Sequence, residues 1–219
     1  MTTVVVIAKE CRPGRVKTRL TPPFSPVEAA HLAAASLDDT LAAVGDLPVA
    51  RRLLYFAGTR VPALARDLGF ELLPQADGGL DARLAHLFDV LAEPALLVGM
   101  DTPQLTTTDV APALVGLAAP RSDATSSAVD CWFGPAADGG FWALGMREPR
   151  GDVIRGVPMS RADTGALQRR RLEAEGLAVG ALPVLTDIDT ADDASLVAAI
   201  APSSRFAHEF RRLGAGRPA

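Results

Sequence analysis

Short apolar runs alternate with longer amphipathic segments along this chain, and the alternation predicts strands and helices in turn. The run TVVVIA at 3–8 is continuous and β-branched, which is typical of a strand buried on both faces. Further strands are predicted at 51–57, 70–75 and 94–101, and helices at 25–44, 62–69, 80–92 and 107–118. This alternation indicates a parallel sheet with helices on both faces, joined by right-handed crossovers.

The pattern changes in the second half of the chain. The segment CWFGPAADGGFWALGM at 131–146 has two apolar runs around a Gly/Asp turn, which predicts a hairpin and not a crossover. A loop is predicted at 119–127, a helix at 161–176, a strand at 178–189 and a helix at 190–201. The predicted fold class is therefore α/β, with a mixed, mainly parallel sheet flanked by helices. We expect one domain over 1–201 and a C-terminal tail over 202–219.

Composition and charge narrow the classes of function. The 219 residues carry a formal net charge of -4, which argues against a nucleic-acid surface. Cys11 and Cys131 cannot form a disulfide framework, so we expect reduced thiols in a cytoplasmic protein. The start of the chain has no basic n-region or long apolar h-region, so no signal peptide is expected. The chain has no run of about 18 apolar residues, so no membrane-spanning segment is expected.

A basic loop stands out against this acidic background. The stretch KECRPGRVKTRLTPP follows the first strand and carries five cationic side chains: Lys9, Arg12, Arg15, Lys17 and Arg19. Ligands of open α/β sheets bind outside the carboxyl ends of the strands, which is where this loop begins. Gly14 allows the backbone to turn closely around a ligand, and Lys and Arg side chains bind phosphate oxygens. For Lys9 and Arg12 a solvated loop stays an equal alternative, whereas Lys17 and Arg19 together favour a phosphate site.

Carboxylates occur at three other strand ends or turns. They lie in GMDTPQ, in GPAADGG and in DIDTADD, and the candidates are Asp101, Asp138, Asp187 and Asp189. Converging carboxylates repel one another unless protons or a metal ion lie between them. A Mg²⁺ or Mn²⁺ ion with a polyphosphate would satisfy both the acids and the nearby cations.

Structural alternatives remain open for these acids. Asp101 before Thr-Pro is suited to cap a turn, and Asp138 before Gly-Gly is suited to a hairpin turn. Asp187 and Asp189 are two positions apart and would point the same way if their strand is regular.

Four motifs stand in order along the chain: VIAKECRPGRVKTRLTPPFSP, GMDTPQL, GPAADGGFWALGM and LTDIDTADD. Together they resemble the pattern of a bacterial family of GT-A-like proteins, described as glycosyltransferase-like or nucleotide-diphospho-sugar transferase proteins. The resemblance covers about residues 3–200. More distantly, the chain is similar to phospholactate guanylyltransferase and to molybdenum-cofactor and sugar nucleotidylyltransferases.

The resemblance implies a GT-A fold, a Mg²⁺ (or Mn²⁺) ion and a bound nucleotide. It implies that Lys17 and Arg19 hold phosphates and that Asp101 is the first metal ligand. Asp189 would complete the metal site, with Asp187 as the weaker candidate, and the acceptor side would be shaped by Asp138, Gly139 and Gly140. The candidate nucleotide-binding residues are Lys9, Gly14, Arg15, Lys17, Arg19 and Gln75.

Two reactions share this scaffold. One transfers a nucleotidyl group from an NTP to a phosphorylated small molecule and releases pyrophosphate, and the other transfers a sugar from an NDP-sugar. The cations Lys17 and Arg19 suit a departing pyrophosphate, and GMDTP carries a lone Asp101 where glycosyltransferases of this fold usually carry two acids, so nucleotidyl transfer is favoured. In that reading Lys17, Arg19 and Asp101 are the catalytic residues. A protein that binds a nucleotide without turnover is the third possibility, and a homodimer is left open.

Overall fold

A sheet of seven strands crosses the molecule in this computed structural model, which describes residues 2–120 and 129–214. The strands are β1 (Thr3–Lys9), β2 (Arg51–Ala57), β3 (Glu71–Pro74), β4 (Ala95–Gly99), β5 (Cys131–Pro135), β6 (Phe141–Met146) and β7 (Val179–Ala181). The helices are α1 (Pro26–Gly45), α2 (Ala63–Asp67), α3 (Leu80–Val90), α4 (Thr107–Ala118), α5 (Thr164–Ala174), α6 (Ala191–Ile200) and α7 (Arg205–Gly214).

The strand order is β3-β2-β1-β4-β6-β5-β7. The first four strands pair in parallel, which confirms the crossovers predicted for the first half of the chain. Strand β6 is antiparallel to both β4 and β5, which confirms the predicted hairpin, and β7 returns parallel to β5. The fold is therefore the mixed, mainly parallel α/β sheet that the sequence predicts.

Strand β1 lies in the middle of this sheet, and its side chains alternate between two apolar cores. Val4, Val6 and Ala8 pack into a core that includes residues of α1, α2 and α4. Val5, between them, packs into a second core that includes residues of α3 and α5. A strand covered on both faces requires apolar side chains at successive positions, which explains the unbroken run TVVVIA.

Helix α1 follows the basic loop and begins where its sequence predicts. Ser25 accepts a hydrogen bond from the Glu28 N–H, and the Glu28 carboxylate accepts one from the Ser25 N–H, so a capping box fixes the first turn. Because this end of the helix is fixed, the preceding loop is attached to the sheet on one side and to α1 on the other.

Two predicted boundaries are wrong. The strand predicted at 178–189 is regular only over Val179–Ala181, followed by a single bridge between Ala136 and Leu185. Pro183 has no N–H with which to continue the ladder, so the segment towards α6 runs without strand structure. The helix predicted from residue 161 begins at Thr164.

Part of the segment predicted as a C-terminal tail forms α7, which packs on α1. Phe206 is fully buried, and Asp39 of α1 accepts hydrogen bonds from the N–H groups of Arg205 and Phe206. Residues 215–219 and most of the loop predicted at 119–127 lie outside the described residues. Within the described ranges, no helix combines the length and the apolar character needed to cross a membrane.

Candidate active site

The ammonium group of Lys17 lies between two carboxylates at the carboxyl end of the sheet. Its Nζ is 3.0 Å from Asp101 Oδ1 and 2.9 Å from Asp189 Oδ1, and the Lys17 side chain is only 7% exposed. Burial alone would lower the pKa of Lys17, but the charges of Asp101 and Asp189 raise it above its ordinary value. Arg19 Nη1 lies 3.2 Å from the other oxygen of Asp189. The structure thus brings together Lys17 and Arg19 with two of the predicted acids, Asp101 and Asp189.

The loop presents Lys17 because its neighbours are anchored. Val16 and Leu20 are both buried, and Leu20 is the last residue of a short 3₁₀ turn at Thr18–Leu20. Lys17 itself has left-handed backbone angles, φ 46° and ψ 42°. A non-glycine residue in this region costs about 1–3 kcal/mol, so the surrounding contacts must impose the conformation.

A cluster of three carboxylates adjoins the Lys17 ion pairs. Oxygen atoms of Asp138, Asp187 and Asp189 all lie within 4.8 Å of one another. Burial, and next the charge of Asp138, raise the pKa of Asp187 to about 6. The Oδ1 atom of Asp187 is buried and finds no hydrogen-bond partner among the described residues. Hard divalent cations prefer such oxygen donors, so the residues present fit a Mg²⁺ or Mn²⁺ ion.

Asp189 belongs both to this cluster and to the Lys17 ion pairs. Its burial would raise the pKa of its carboxyl group, but the nearby charge of Lys17 and the Lys17 hydrogen bond lower it. Asp189 is therefore held in its charged form beside the other two acids. The condition under which Asp187 and Asp189 would point the same way, a regular strand, is not met, and irregular backbone brings their carboxylates together instead.

Asp138 is carried by the β5–β6 turn, whose shape depends on close backbone packing. One of its oxygens accepts a hydrogen bond of 2.8 Å from the Gly140 N–H. Gly139 has φ +88°, and a Cβ added there would lie 1.9 Å from the carbonyl oxygen of Ala162. Only glycine fits this position, so the predicted Asp-Gly-Gly motif is a structural requirement that also delivers Asp138 to the acidic cluster.

Two pockets lie beside the basic loop, and Lys9 lines both of them. The smaller, of about 170 Å³, is also lined by Lys17, Arg19, Asp101 and Asp189. The larger, of about 770 Å³, lies between the loop, α1 and the β2–α2 connection. Its charged lining residues are Lys9, Glu10, Arg12, Arg15, Asp38 and Arg60.

Glu10 joins the two sides of the larger pocket. Its Oε2 accepts hydrogen bonds from Arg12 Nη2 and from the N–H groups of Thr59 and Arg60. The Arg12 hydrogen bond is the largest of the causes that lower the pKa of Glu10 to about 2. This carboxylate is therefore charged, and its Oε2 is hydrogen-bonded within the protein.

Gln75 is a predicted nucleotide-binding residue that the structure does not bring to either pocket. Its Nε2 donates to the carbonyl oxygens of Ala8 and Tyr55, both at 2.9 Å, and its Oε1 accepts from Arg83. These bonds tie together the ends of neighbouring strands. The Gln75 amide is therefore engaged in structural hydrogen bonds in this conformation.

The residues of the chain match a family profile from 40 to 161, which is more than half of its length. That family is described as "Uncharacterized protein conserved in bacteria (DUF2064)". The chain belongs to this family. No curated protein matches the sequence.

Solved structures of other proteins share the fold of this family member. A protein from Desulfovibrio desulfuricans G20, provisionally named a nucleotide-diphospho-sugar transferase, is 24% identical with a TM-score of 0.82, covering 98% of this chain and 95% of the other. A cytidylyltransferase from Leptospira borgpetersenii is 11% identical with a TM-score of 0.58, covering 98% and 94%.

Glucosyl-3-phosphoglycerate synthase from Mycobacterium tuberculosis, solved with Mn²⁺, UDP and glucosyl-3-phosphoglycerate, is 12% identical with a TM-score of 0.51, covering 98% and 80%. At such identities the likenesses establish the fold alone, which is GT-A-like, as the resemblance implied.

Sequence reasoning did not select three charged residues of the larger pocket, Glu10, Asp38 and Arg60. Asp38 lies in the middle of α1, where the pair Asp38–Asp39 interrupts an Ala/Leu-rich segment. Acidic residues in such an apolar segment were the signal that could have identified Asp38. Arg60 comes three residues after β2 ends, at the same edge of the sheet as the basic loop.

Proposed function

We propose that this protein is a metal-dependent nucleotidylyltransferase that transfers a nucleotidyl group from an NTP to a phosphorylated small molecule and releases pyrophosphate. The observation that supports it is the meeting of the Lys17 ammonium with Asp101 from the loop after β4 and Asp189 from the segment before α6, beside a cluster of three carboxylates. Cations and carboxylates at one edge of a sheet suit a ligand that is itself anionic and bound with a divalent ion.

The basic loop would bind the phosphates. Lys17 and Arg19 line the smaller pocket and would place positive charge near the β and γ phosphates, where negative charge develops as pyrophosphate departs. Lys9 lines both pockets, so it would contact the chain of phosphates between them, and Arg15 would act from the larger pocket.

Asp138, Asp187 and Asp189 would hold the divalent ion, which when bound would neutralise phosphate charge and act as a Lewis acid. Asp101 lies against Lys17 and would orient its ammonium group. The assignment of Asp101 as a metal ligand stays a prediction. Gly139 and Gly140 would shape the acceptor side through the turn that carries Asp138.

The larger pocket would receive the nucleoside. Its volume of about 770 Å³ is in the range of about 300–1,000 Å³ that small-molecule sites occupy, whereas the smaller pocket offers only about 170 Å³. The nucleoside would therefore lie between the basic loop, α1 and the β2–α2 connection.

The acceptor phosphate would itself be the nucleophile, so the reaction needs no Ser or Cys nucleophile. Cys11 fits this view, because burial, and next the charge of Asp101, raise the pKa of its thiol to about 12. The thiol is therefore protonated near neutral pH and is a poor nucleophile.

Sugar transfer from an NDP-sugar is the second candidate. It is favoured by the fold shared with the Desulfovibrio protein at a TM-score of 0.82, since that protein carries the name of a nucleotide-diphospho-sugar transferase. The two reactions differ in their leaving group, which makes them separable.

The test is to incubate the protein with each NTP or NDP-sugar, Mg²⁺ and a pool of phosphorylated metabolites, and to assay pyrophosphate and NDP. We expect Mg²⁺-dependent pyrophosphate release that EDTA and the Asp189→Asn substitution abolish. Release of NDP from an NDP-sugar would replace this proposal with sugar transfer. Metal-dependent thermal stabilisation by a nucleotide without either product would indicate a binding protein.

A further inference from the structure

Two hydrogen bonds cross between the loop after β4 and the irregular segment that precedes α6. Gln104 Nε2 donates to the carbonyl oxygen of Thr186 at 2.6 Å, and the Ile188 N–H donates to the carbonyl oxygen of Asp101 at 3.1 Å. The first bond comes from a side chain, and its acceptor directly precedes Asp187. The motif GMDTPQ thus contains a second polar residue that reaches the site, besides Asp101.

The segment that receives this bond has few other regular contacts. Its upstream end is attached to the β5–β6 turn, where Leu185 donates to Pro135 and accepts from Ala137. Beyond Leu185 the backbone is not part of the sheet, although it carries the two aspartates of the candidate site. The position of Asp187 and Asp189 therefore depends on how Thr186 and Ile188 are held.

We infer that Gln104 is a positioning residue, which fixes the segment of Asp187 and Asp189 against the Lys17 ammonium. Gln104 is only 8% exposed, so its amide cannot exchange this partner for water without opening the site. The consequence for catalysis rests on the proposed function, whereas the consequence for the Lys17–Asp189 contact does not.

The Gln104 hydrogen bond is expected to hold the nearby segment more than it stabilises the whole fold. Its Oε1 is buried without a hydrogen-bond partner among the described residues, so the side chain gains one hydrogen bond while leaving one polar atom unsatisfied. Such a residue adds little to global stability, and an apolar residue of similar volume is expected to fold in its place.

The chain offers a matched control in Gln168. This residue is fully buried, its Nε2 donates to the Val153 carbonyl oxygen at 2.9 Å, and its Oε1 also has no partner among the described residues. Gln168 is on α5, and the hydrogen bond that its side chain donates goes to Val153, which is not one of the site residues that we name. Gln104→Met and Gln168→Met therefore remove the same kind of bond at two different places.

The experiment measures how fast an amine-reactive ester labels Lys17 in the metal-free protein, by mass spectrometry. Lys9 and Lys17 are the two lysines of the sequence, and the exposed Lys9 gives an internal reference rate. We expect Gln104→Met to raise the labelling rate of Lys17 roughly fivefold or more relative to that of Lys9. The reason is that the segment carrying Asp189 would move away from Lys17 and leave its amine more exposed. Gln168→Met should leave this ratio unchanged even if it lowers the melting temperature.

A second variant and a second measurement guard against ambiguous outcomes. Gln104→Asn keeps the amide but is one methylene too short to reach Thr186, and it should raise Lys17 labelling in the same way. Mn²⁺ binding should weaken in both Gln104 variants and not in Gln168→Met. Wild-type labelling of Lys17 in a folded Gln104 variant would overturn the inference. Absence of Mn²⁺ and nucleotide binding in the wild-type protein would count against the proposed function only, since labelling does not depend on it.

Discussion

Lys17 and Asp189 are 172 positions apart in the sequence, yet the ammonium nitrogen of Lys17 lies 2.9 Å from the carboxylate of Asp189. The contact joins the loop after the first strand of the sheet to the segment before α6. Because Asp101 holds the same ammonium from the loop after β4, most of the sheet must assemble before this ion-pair group can form. The candidate site is therefore a consequence of the complete fold.

Lys17→Met should remove both a phosphate ligand and the partner of two acids. We expect pyrophosphate release to fall by roughly 100-fold or more, as for other charge-stabilising groups. Unfolding in urea should show a loss of about 1–3 kcal/mol, less than the about 3–5 kcal/mol of a fully buried pair because both carboxylates are partly solvated. Arg66→Met is the matched control, since Arg66 is exposed and lines neither pocket. Equal activity in the two variants would remove Lys17 from the mechanism.

Asp187→Asn should change stability and metal binding in opposite directions. Asp187 is partly buried beside Asp138, and one of its oxygens has no partner among the described residues, so a neutral amide should raise the melting temperature of the metal-free protein. The same change should reduce the further stabilisation by Mn²⁺, because an anionic ligand is lost. Melting curves in EDTA and in MnCl₂ measure both effects. Asp192→Asn, outside the cluster, should keep the Mn²⁺ effect, and a lower melting temperature for Asp187→Asn in EDTA would contradict the argument.

Both cysteines should be unreactive in the folded protein. Burial is the main cause that raises the pKa of Cys11 and of Cys131 from 9.0 to about 12. A thiol reagent at about pH 8 should therefore modify neither thiol until urea unfolds the chain. Rapid modification of either cysteine without denaturant would contradict this prediction.

The raised pKa values of the two thiols also predict how the stability of the protein changes at alkaline pH. Above about pH 9 the unfolded chain loses both thiol protons while the folded chain keeps them, so folding binds protons. The free energy of unfolding should consequently fall as the pH rises from 9 towards 12. The double variant with Cys11→Ala and Cys131→Ala should have a flatter dependence over that range, and identical slopes would show that the thiols do not contribute.

Much of the fold could be predicted because its signals are local. The β-branched run of β1 and the Ser25–Glu28 capping box each specify an element within a few residues. The end of the predicted last strand could not be placed, although Pro183 was a visible signal against a ladder continuing beyond it. The docking of α7 through Phe206 depends on a surface of α1 that no local pattern describes.

The candidate site likewise contains features that the sequence could predict and features that it could not. Strand ends and the sign of the charges were sufficient to select Lys17, Asp101 and Asp189, which lie together. The pattern could not show that Asp138 approaches Asp187, since their contact depends on how the hairpin turn packs on a distant segment. For Gln75, its place at a strand end was visible in the sequence, but its hydrogen-bond partners within the sheet were not, and its role in nucleotide binding stays a prediction.

Gly139→Ala should be far more destabilising than the same change at another glycine with a similar backbone. A Cβ at Gly139 would lie 1.9 Å from the Ala162 carbonyl oxygen, whereas one at Gly156, with φ +83°, meets nothing within 4 Å. We expect Gly156→Ala to cost about 1–2 kcal/mol from the left-handed backbone alone, and Gly139→Ala to cost about 1–3 kcal/mol more from the forced displacement of backbone. Urea unfolding of both variants gives the difference. Because the turn carries Asp138, Gly139→Ala should also weaken Mn²⁺ binding while Gly156→Ala should not, and equal losses in the two variants would show that close packing of the turn does not position this acid.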